Sequence, residues 1–486
     1  MDYGPNALGG WRQMSDPWHS AEIEKRLLSD MPNHIETLKA FVSIPSVSTD
    51  PAYKDGILKA SEFVAAQLKA AGLNEVEILP TAGHPVVTAA WRGAPGAPTV
   101  LVYGHYDVQP PDPISAWKSS PFVPDIRDGR LYARGVSDDK GPMLIPIAVA
   151  AAYLAEQGRL PVNMVFLFEG EEEVSSAHLE TFVRIHQERL KADFALSADG
   201  AQWRADLPSV TVASRGICAL EVTVRGPGKD LHSGRHGGSV ANPIQALIAL
   251  LAALHTPDGA IAVPGFYDGL DPVHPDEVKA IAAIPFDEAA YLAEVGASAG
   301  AGEAGYTLLQ RNWIRPTLEY NGIVGGYTGP GKKTVIPSEA SAKISCRLVP
   351  GQDPDRIVAL LAAFLEAHAP HGTSVSVKRE TGGTPAYAVT HNHPALVLSE
   401  DVLESVLDRR PVRVRMGATI PIGDIFRRVL DIDTVFFSFS TVDEDYHAPN
   451  EFFRLSSYER GMIAWARYLG KLGETKGAVV AARAST

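Results

Sequence analysis

His105 and Asp107 follow the apolar run LVYG. Glu171, Glu172 and Glu173 follow VFLFEG, Asp199 follows FALSA, and Asp443 to His447 stand just beyond VFFSFST. Four times, an apolar stretch of strand length ends on carboxylate or imidazole. Each instance alone has a plain explanation: a histidine after a strand is usually solvated, and a run of glutamates is usually a wet face. Their coincidence is informative, because ligands of open α/β sheets bind beyond the carboxyl ends of the strands. Carboxylate and imidazole together suit zinc, manganese or cobalt. So many acids in one place would repel one another unless cations neutralised them. A metal-binding histidine commonly passes its second N–H to a carboxylate, a role open to Asp107. Asp138 and Asp139, within RLYARGVSDDKGP (130–142), sit on a glycine-bounded turn that opens a helix, where a helix N-cap is the bland alternative.

These residues need a sheet to hold them. Apolar runs at 98–103, 162–168 and 193–198 read as buried strands and the Ala-rich stretch 142–154 as a helix, which predicts a mostly parallel sheet covered on both faces. Upstream, Ile23, Leu27, Met31 and Ile35 share one helical face over 21–44, and residues 1–20 read as a loose arm. From about Arg215 the pattern changes: ICALEVTVRG, SAKISCRLVP and SVSVKRE alternate as half-exposed strands, with helices at 241–255 and 354–368. After about Tyr387 the α/β character returns, with DTVFFSFST as a strand. The expected class is α/β: a larger catalytic domain (1–213 and 390–486) with a smaller α+β domain (214–389) inserted.

The bulk properties agree with this. A chain of 486 residues exceeds one typical domain. The net charge of −13, without a long basic run, argues against nucleic acid as a partner. Cys218 and Cys346 each lie in an alternating apolar stretch and read as reduced core thiols. The N-terminal residues lack a secretory pattern, and no apolar run reaches the ~18 residues of a membrane span, so a cytoplasmic protein is expected. GGYTGPGKKT (325–334) is not a phosphate loop, since Lys333 occupies the place where Ser or Thr must hold magnesium.

The motifs GHYDVQP (104–110), LYARGVSDDKGP (131–142), EGEEE (169–173), ADG (198–200), KDLHSGRHGG (229–238), KTVIP (333–337), RLVP (347–350) and HAPNE (447–451) follow one another over nearly the whole chain. In that combination the chain resembles the M20 metallopeptidases, most closely their cytosolic, carnosinase-like non-specific dipeptidase branch. The resemblance implies a zinc-peptidase-like catalytic domain with an inserted lid that mediates a homodimer. It implies two divalent cations per subunit, zinc or manganese with cobalt as a third candidate. His105 and Asp199 would bind one, Glu173 and His447 the other, and Asp138 both, with a cis peptide after Asp138. Glu172 would be the general base, taking a proton from the water between the cations and returning it to the leaving amine, with Asp107 in support. His232 would reach a partner subunit's site to stabilise the oxyanion, while Arg347, Thr334 and Thr419 would bind substrate. Asp199, where deacylating branches carry Glu, favours short peptides over N-acyl amino acids as substrates. Ser175 replaces the family's Gly after the glutamates, and GATIP (417–421) replaces GGSIP.

Overall fold

The computed structural model describes residues 18, 20–380 and 383–475, so the arm expected over 1–20 lies almost wholly outside the described residues. The principal strands of the first part of the chain are β1 (Asn74–Leu79), β2 (Val86–Trp91), β3 (Thr99–His105), β4 (Asn163–Glu169) and β5 (Phe194–Ser197). Four more follow: β6 (Gly216–Arg225), β7 (Thr317–Gly325), β8 (Glu339–Leu348) and β9 (Ser374–Arg379); β10 (Thr434–Phe436) comes last. The chain divides into two compact units. One holds the residues up to Thr211, Val389–Val412 and those from Ile425 onward; the other holds Val212–Ala388 and Arg413–Asp424.

The first unit is built on a six-stranded sheet in the order β1-β2-β4-β3-β5-β10. β4, β3, β5 and β10 run parallel, whereas β1 and β2 form an antiparallel edge. β3 and β4 are buried over almost their whole length, which explains why they read as unbroken apolar runs. The register decides where the chemistry falls. His105 is level with Glu169, Tyr103 with Ser197, and Ser197 with Phe436. Four neighbouring parallel strands therefore end side by side, and the polar residues that follow each of them arrive at one rim. The helix Gly141–Gln157 lies behind that rim with most of its residues buried.

The single helix expected over 21–44 is two, Ser20–Ser29 and Met31–Val42. Pro32 lacks the N–H that a continuous helix needs there. Ile23 and Leu27 are buried as expected, but after the break the buried residues are Leu38, Phe41 and Val42, not Met31 and Ile35.

The second unit carries an antiparallel sheet in the order β7-β8-β6-β9. Burial alternates strictly along β6 and nearly so along β8, as a sheet with one dry face requires. Helices Pro243–Ala252 and Pro354–Ala367 cover that face, packing Leu247, Leu250, Leu361 and Leu365 against Leu220, Val222 and Ile344. Cys218 and Cys346 stand opposite each other on β6 and β8, both free and buried. The segment Arg413–Asp424, which the sequence reading kept with the last part of the chain, groups with this unit. Arg415 explains it: its guanidinium is held by both oxygens of Glu277 at 2.5 and 3.0 Å, with both side chains buried.

Candidate metal centre and substrate residues

Asp138 lies at the middle of the rim. Its Oδ1 is 2.9 Å from His105 Nε2 and its Oδ2 is 3.0 Å from His447 Nε2. His447 Nε2 is also 3.1 Å from Glu173 Oε2. Two groups of donor atoms converge within 4.8 Å: His105, Asp138 and Asp199 in one, and Asp138, Glu173 and His447 in the other. Asp138 belongs to both.

The local backbone explains how Asp138 is aimed. Gly135 adopts φ +78°, and a Cβ there would stand 2.1 Å from Val108 Cγ1, so only glycine fits. The Asp138–Asp139 peptide is cis. The turn is then fixed from outside by Glu451, whose carboxylate accepts hydrogen bonds from the backbone N–H groups of Gly135 (2.8 Å), Ser137 (2.9 Å) and Asp138 (3.2 Å) and from Arg134 Nη1 (2.8 Å). Glu444 accepts a 2.6 Å bond from the Ser137 hydroxyl, and Ser440 donates to the Ser137 carbonyl. Sequence reasoning assigned no role to Glu444 or Glu451. The closing residue of HAPNE was the available signal for Glu451, but nothing local in the sequence pairs position 451 with 135–138.

Asp107 meets the site at two places, His105 and the glutamate turn. His105 Nδ1 is 3.1 Å from the Asp107 backbone carbonyl and 3.5 Å from its carboxylate. That aims an Nδ1–H at the Asp107 carbonyl and leaves Nε2 facing Asp138. The carboxylate of Asp107 accepts the N–H groups of Glu172 (3.2 Å) and Glu173 (3.1 Å), and so sets where those two side chains point. Gln109 Nε2 donates to Glu173 Oε2 at 2.8 Å.

The electrostatics test whether cations fit. Burial raises Glu172 well above the ordinary carboxylate range, and Asp199, Glu173 and Asp138 add to it. Burial likewise lifts Glu173 to about 7, helped by Asp138, and Asp199 to about 6. Asp138 moves the other way: burial opposes its ionisation, but hydrogen bonds from His105 and His447 overcome this and hold it low. Hydrogen bonds to Asp138 and Glu173 push His447 up to about 10. Burial works against the charge on His105, yet its contacts with Asp107 and Asp138 leave it raised. The cluster is short of positive charge and draws protons to compensate. An all-oxygen and imidazole donor set with this deficit fits divalent cations.

The second unit contains the remaining expected residues. His232 and Thr334 lie together, since Leu231–His232 pairs with Val335–Ile336, and Thr334 Oγ1 is 3.5 Å from His232 Nε2. His232 Nδ1 accepts the Gly234 N–H at 3.1 Å, which places the ring proton on the exposed Nε2. Arg347 Nη1 donates to Thr419 Oγ1 at 3.0 Å.

The family Peptidase_M20, Peptidase family M20/M25/M40, matches residues 101–471. The Beta-Ala-His dipeptidase of Rattus norvegicus is 30% identical over 484 residues, covering 95% of this chain and 98% of the relative. The Cys-Gly metallodipeptidase dug1 of Schizosaccharomyces pombe is 29% identical over 459 residues, covering 90% and 95%. Among solved structures, human carnosine dipeptidase 1 superposes with a TM-score of 0.76 at 28% identity, covering 94% of this chain and 99% of that one.

Proposed function

This chain belongs to peptidase family M20/M25/M40, and from that premise we propose that it is a metal-dependent dipeptidase that cleaves dipeptides or similarly short peptides. The observation that carries the reading is the pair of donor groups sharing Asp138, beside a half-buried glutamate, Glu172, that is not itself a donor in either group. Relatives that match over nearly the whole chain are named as dipeptidases, so the N-acyl amino acid alternative is not favoured.

His105 and Asp199 would hold one cation, Glu173 and His447 a second, and Asp138 both. Zinc or manganese suits these donors, and cobalt is compatible with them. When bound, such cations polarise the scissile carbonyl and make a water acidic enough to attack near neutrality. Glu172 takes the proton of the attacking water and delivers it to the leaving amine. The burial that raises its proton affinity suits it to both halves of that task. Asp107 positions Glu172 through its backbone N–H. His232 offers its Nε2 proton to the oxygen that gains charge as the carbonyl becomes tetrahedral. Arg347, Thr334 and Thr419 bind the substrate, with Arg347 gripping a carboxylate.

The proposed assembly is a homodimer through the second unit, in which His232 serves the partner's site. Support comes from β7, an edge strand whose Ile323 and Val324 are exposed at 57% and 67%. An apolar open edge of this kind invites a second copy. The proposed setting is the cytoplasm, where Cys218 and Cys346 would stay reduced. Among the described residues, no helix is long and apolar enough to cross a membrane.

The deciding experiment loads the protein with Mn²⁺ or Zn²⁺ and compares hydrolysis of a free dipeptide with that of an N-acetyl amino acid, against a chelated control. Metal-dependent cleavage of the free dipeptide is expected. Preference for the blocked substrate would overturn the dipeptidase reading.

A further inference from the structure

We propose that Arg215 is a second substrate-carboxylate donor, which joins Arg347 and the Thr419 hydroxyl in one anion cradle and makes a free terminal carboxylate a condition of tight binding. This rests on the peptide-substrate reading above and adds to it a residue that the motifs do not single out.

Arg215 is tied to the loop that carries Thr419. Its backbone N–H donates to the carbonyls of Met416 (3.2 Å) and Ala418 (3.0 Å), and its Nε donates to the Gly417 carbonyl (2.9 Å). Its Nη2 donates to Asn312 Oδ1 (3.1 Å). The loop leaves no slack: a Cβ at Gly417 would stand 2.7 Å from Asn312 Oδ1 and 3.4 Å from Arg215 Nη2. Two of the three guanidinium nitrogens are thereby committed. The third, Nη1, is shielded from solvent and has no hydrogen-bond partner. An ionised donor left bare in this way is costly, and a fixed guanidinium with one unspent nitrogen is suited to an anion that arrives later.

The charges around it point the same way. Elsewhere in this unit partly or fully buried arginines meet carboxylates, as Arg415 meets Glu277 and Arg315 meets Glu303. Among the described residues neither Arg215 nor Arg347 has a carboxylate within ion-pair distance, although both are half-buried. Burial first, and then the nearby charge of Arg347, lowers Arg215 to about 10, against a weaker pull from Glu319. Two partly desolvated cations side by side repel until an anion joins them. A peptide's terminal carboxylate has two oxygens to share between them.

The test uses the full-length, Mn²⁺-loaded protein and its Arg215→Met and Arg215→Lys variants. L-alanyl-L-alanine and L-alanyl-L-alaninamide serve as substrates, and both are also titrated calorimetrically into the same proteins carrying Glu172→Gln. In Arg215→Met, KM and Kd for the free acid should rise about tenfold or more, the loss expected for a charge-assisted bond, with kcat little changed and the amide hardly affected. Arg215→Lys, which keeps the charge and loses the fork, should fall between and decides the matter should the methionine variant not fold. Equal weakening of acid and amide, an unchanged Kd for the acid, or a parent protein that binds acid and amide alike would overturn the proposal. Turnover of neither compound by the unmutated protein would sink the dipeptidase reading alone, because the acid-against-amide titration still reads Arg215.

Discussion

Around Asp138 the charges are mostly negative and mostly buried, and the backbone beneath them is held by further carboxylates. Around Arg347 they are positive, half-exposed and, among the described residues, without a carboxylate at ion-pair distance. The first region gathers donors that repel one another, which the protein tolerates because Glu451 and Asp107 clamp the chain beneath them. The second gathers two guanidinium groups against the loop 416–419, Arg215 through its main-chain carbonyls and Arg347 through the Thr419 hydroxyl. A cation deficit and an anion deficit are thus built by the same means: like charges are fixed on a rigid support before the ligand arrives. The contrast predicts that changes in the first region act on turnover and metal retention, and those in the second on substrate affinity.

The largest expected effect is at Glu172. Replacing it with Gln removes the proposed proton carrier but neither donor group, so kcat should fall by about 10²–10⁴-fold while bound metal, read by atomic absorption, is unchanged. Loss of metal together with activity would make Glu172 a ligand and blur the division of roles. Next is Glu451. Truncation to Ala strips the acceptor from the amides of Gly135, Ser137 and Asp138 and leaves Arg134 buried without its partner. Metal affinity, measured by competition with a chelating dye, should weaken by about 10–100-fold, as for other residues that orient ligands, with Glu451→Gln recovering part of it. In the second region, Arg347→Met should raise KM about tenfold and leave metal affinity untouched. A metal effect there would break the comparison.

How much of this was legible in sequence follows from the same contrast. Strands β3, β4 and β5 are buried on both faces, so they appear as apolar runs, and the first polar residue after each run marks the rim. His105, Glu172, Glu173 and Asp199 could be found that way. His447 was harder, because β10 stops at Phe436 and an irregular stretch intervenes before the histidine, at φ +64°. The clamp by Glu451 was not legible, since it joins residues more than 300 positions apart that share no periodicity. Nor was the break at Pro32 predicted, because apolar spacing continued across it. Arg215 precedes a strand as an ordinary flanking cation, and its unspent nitrogen exists only once Gly417 and Asn312 are in place.

The smallest effect concerns Glu169, at the carboxyl end of β4. Burial lifts its carboxyl to about 8, well above the ordinary value of 4.5. Tyr103 (2.7 Å) and Ser176 (2.9 Å) both donate to the same oxygen, Oε1, which leaves Oε2 to carry the proton. The sign follows directly. Below the ordinary value both folded and unfolded chains hold the proton. Between that value and about 8 only the folded chain does, so stability falls as pH rises through this window. The slope from this one group is at most about 1.4 kcal/mol per pH unit. Glutamine matches the neutral acid: its carbonyl can accept both hydroxyls and its NH₂ replaces the acid O–H. In the metal-free protein, urea midpoints measured between about pH 5 and pH 8 should therefore decline less steeply for Glu169→Gln than for the unmutated chain. Parallel declines would mean that Glu169 is ionised when folded, and that the negative region extends to the end of β4, level with His105.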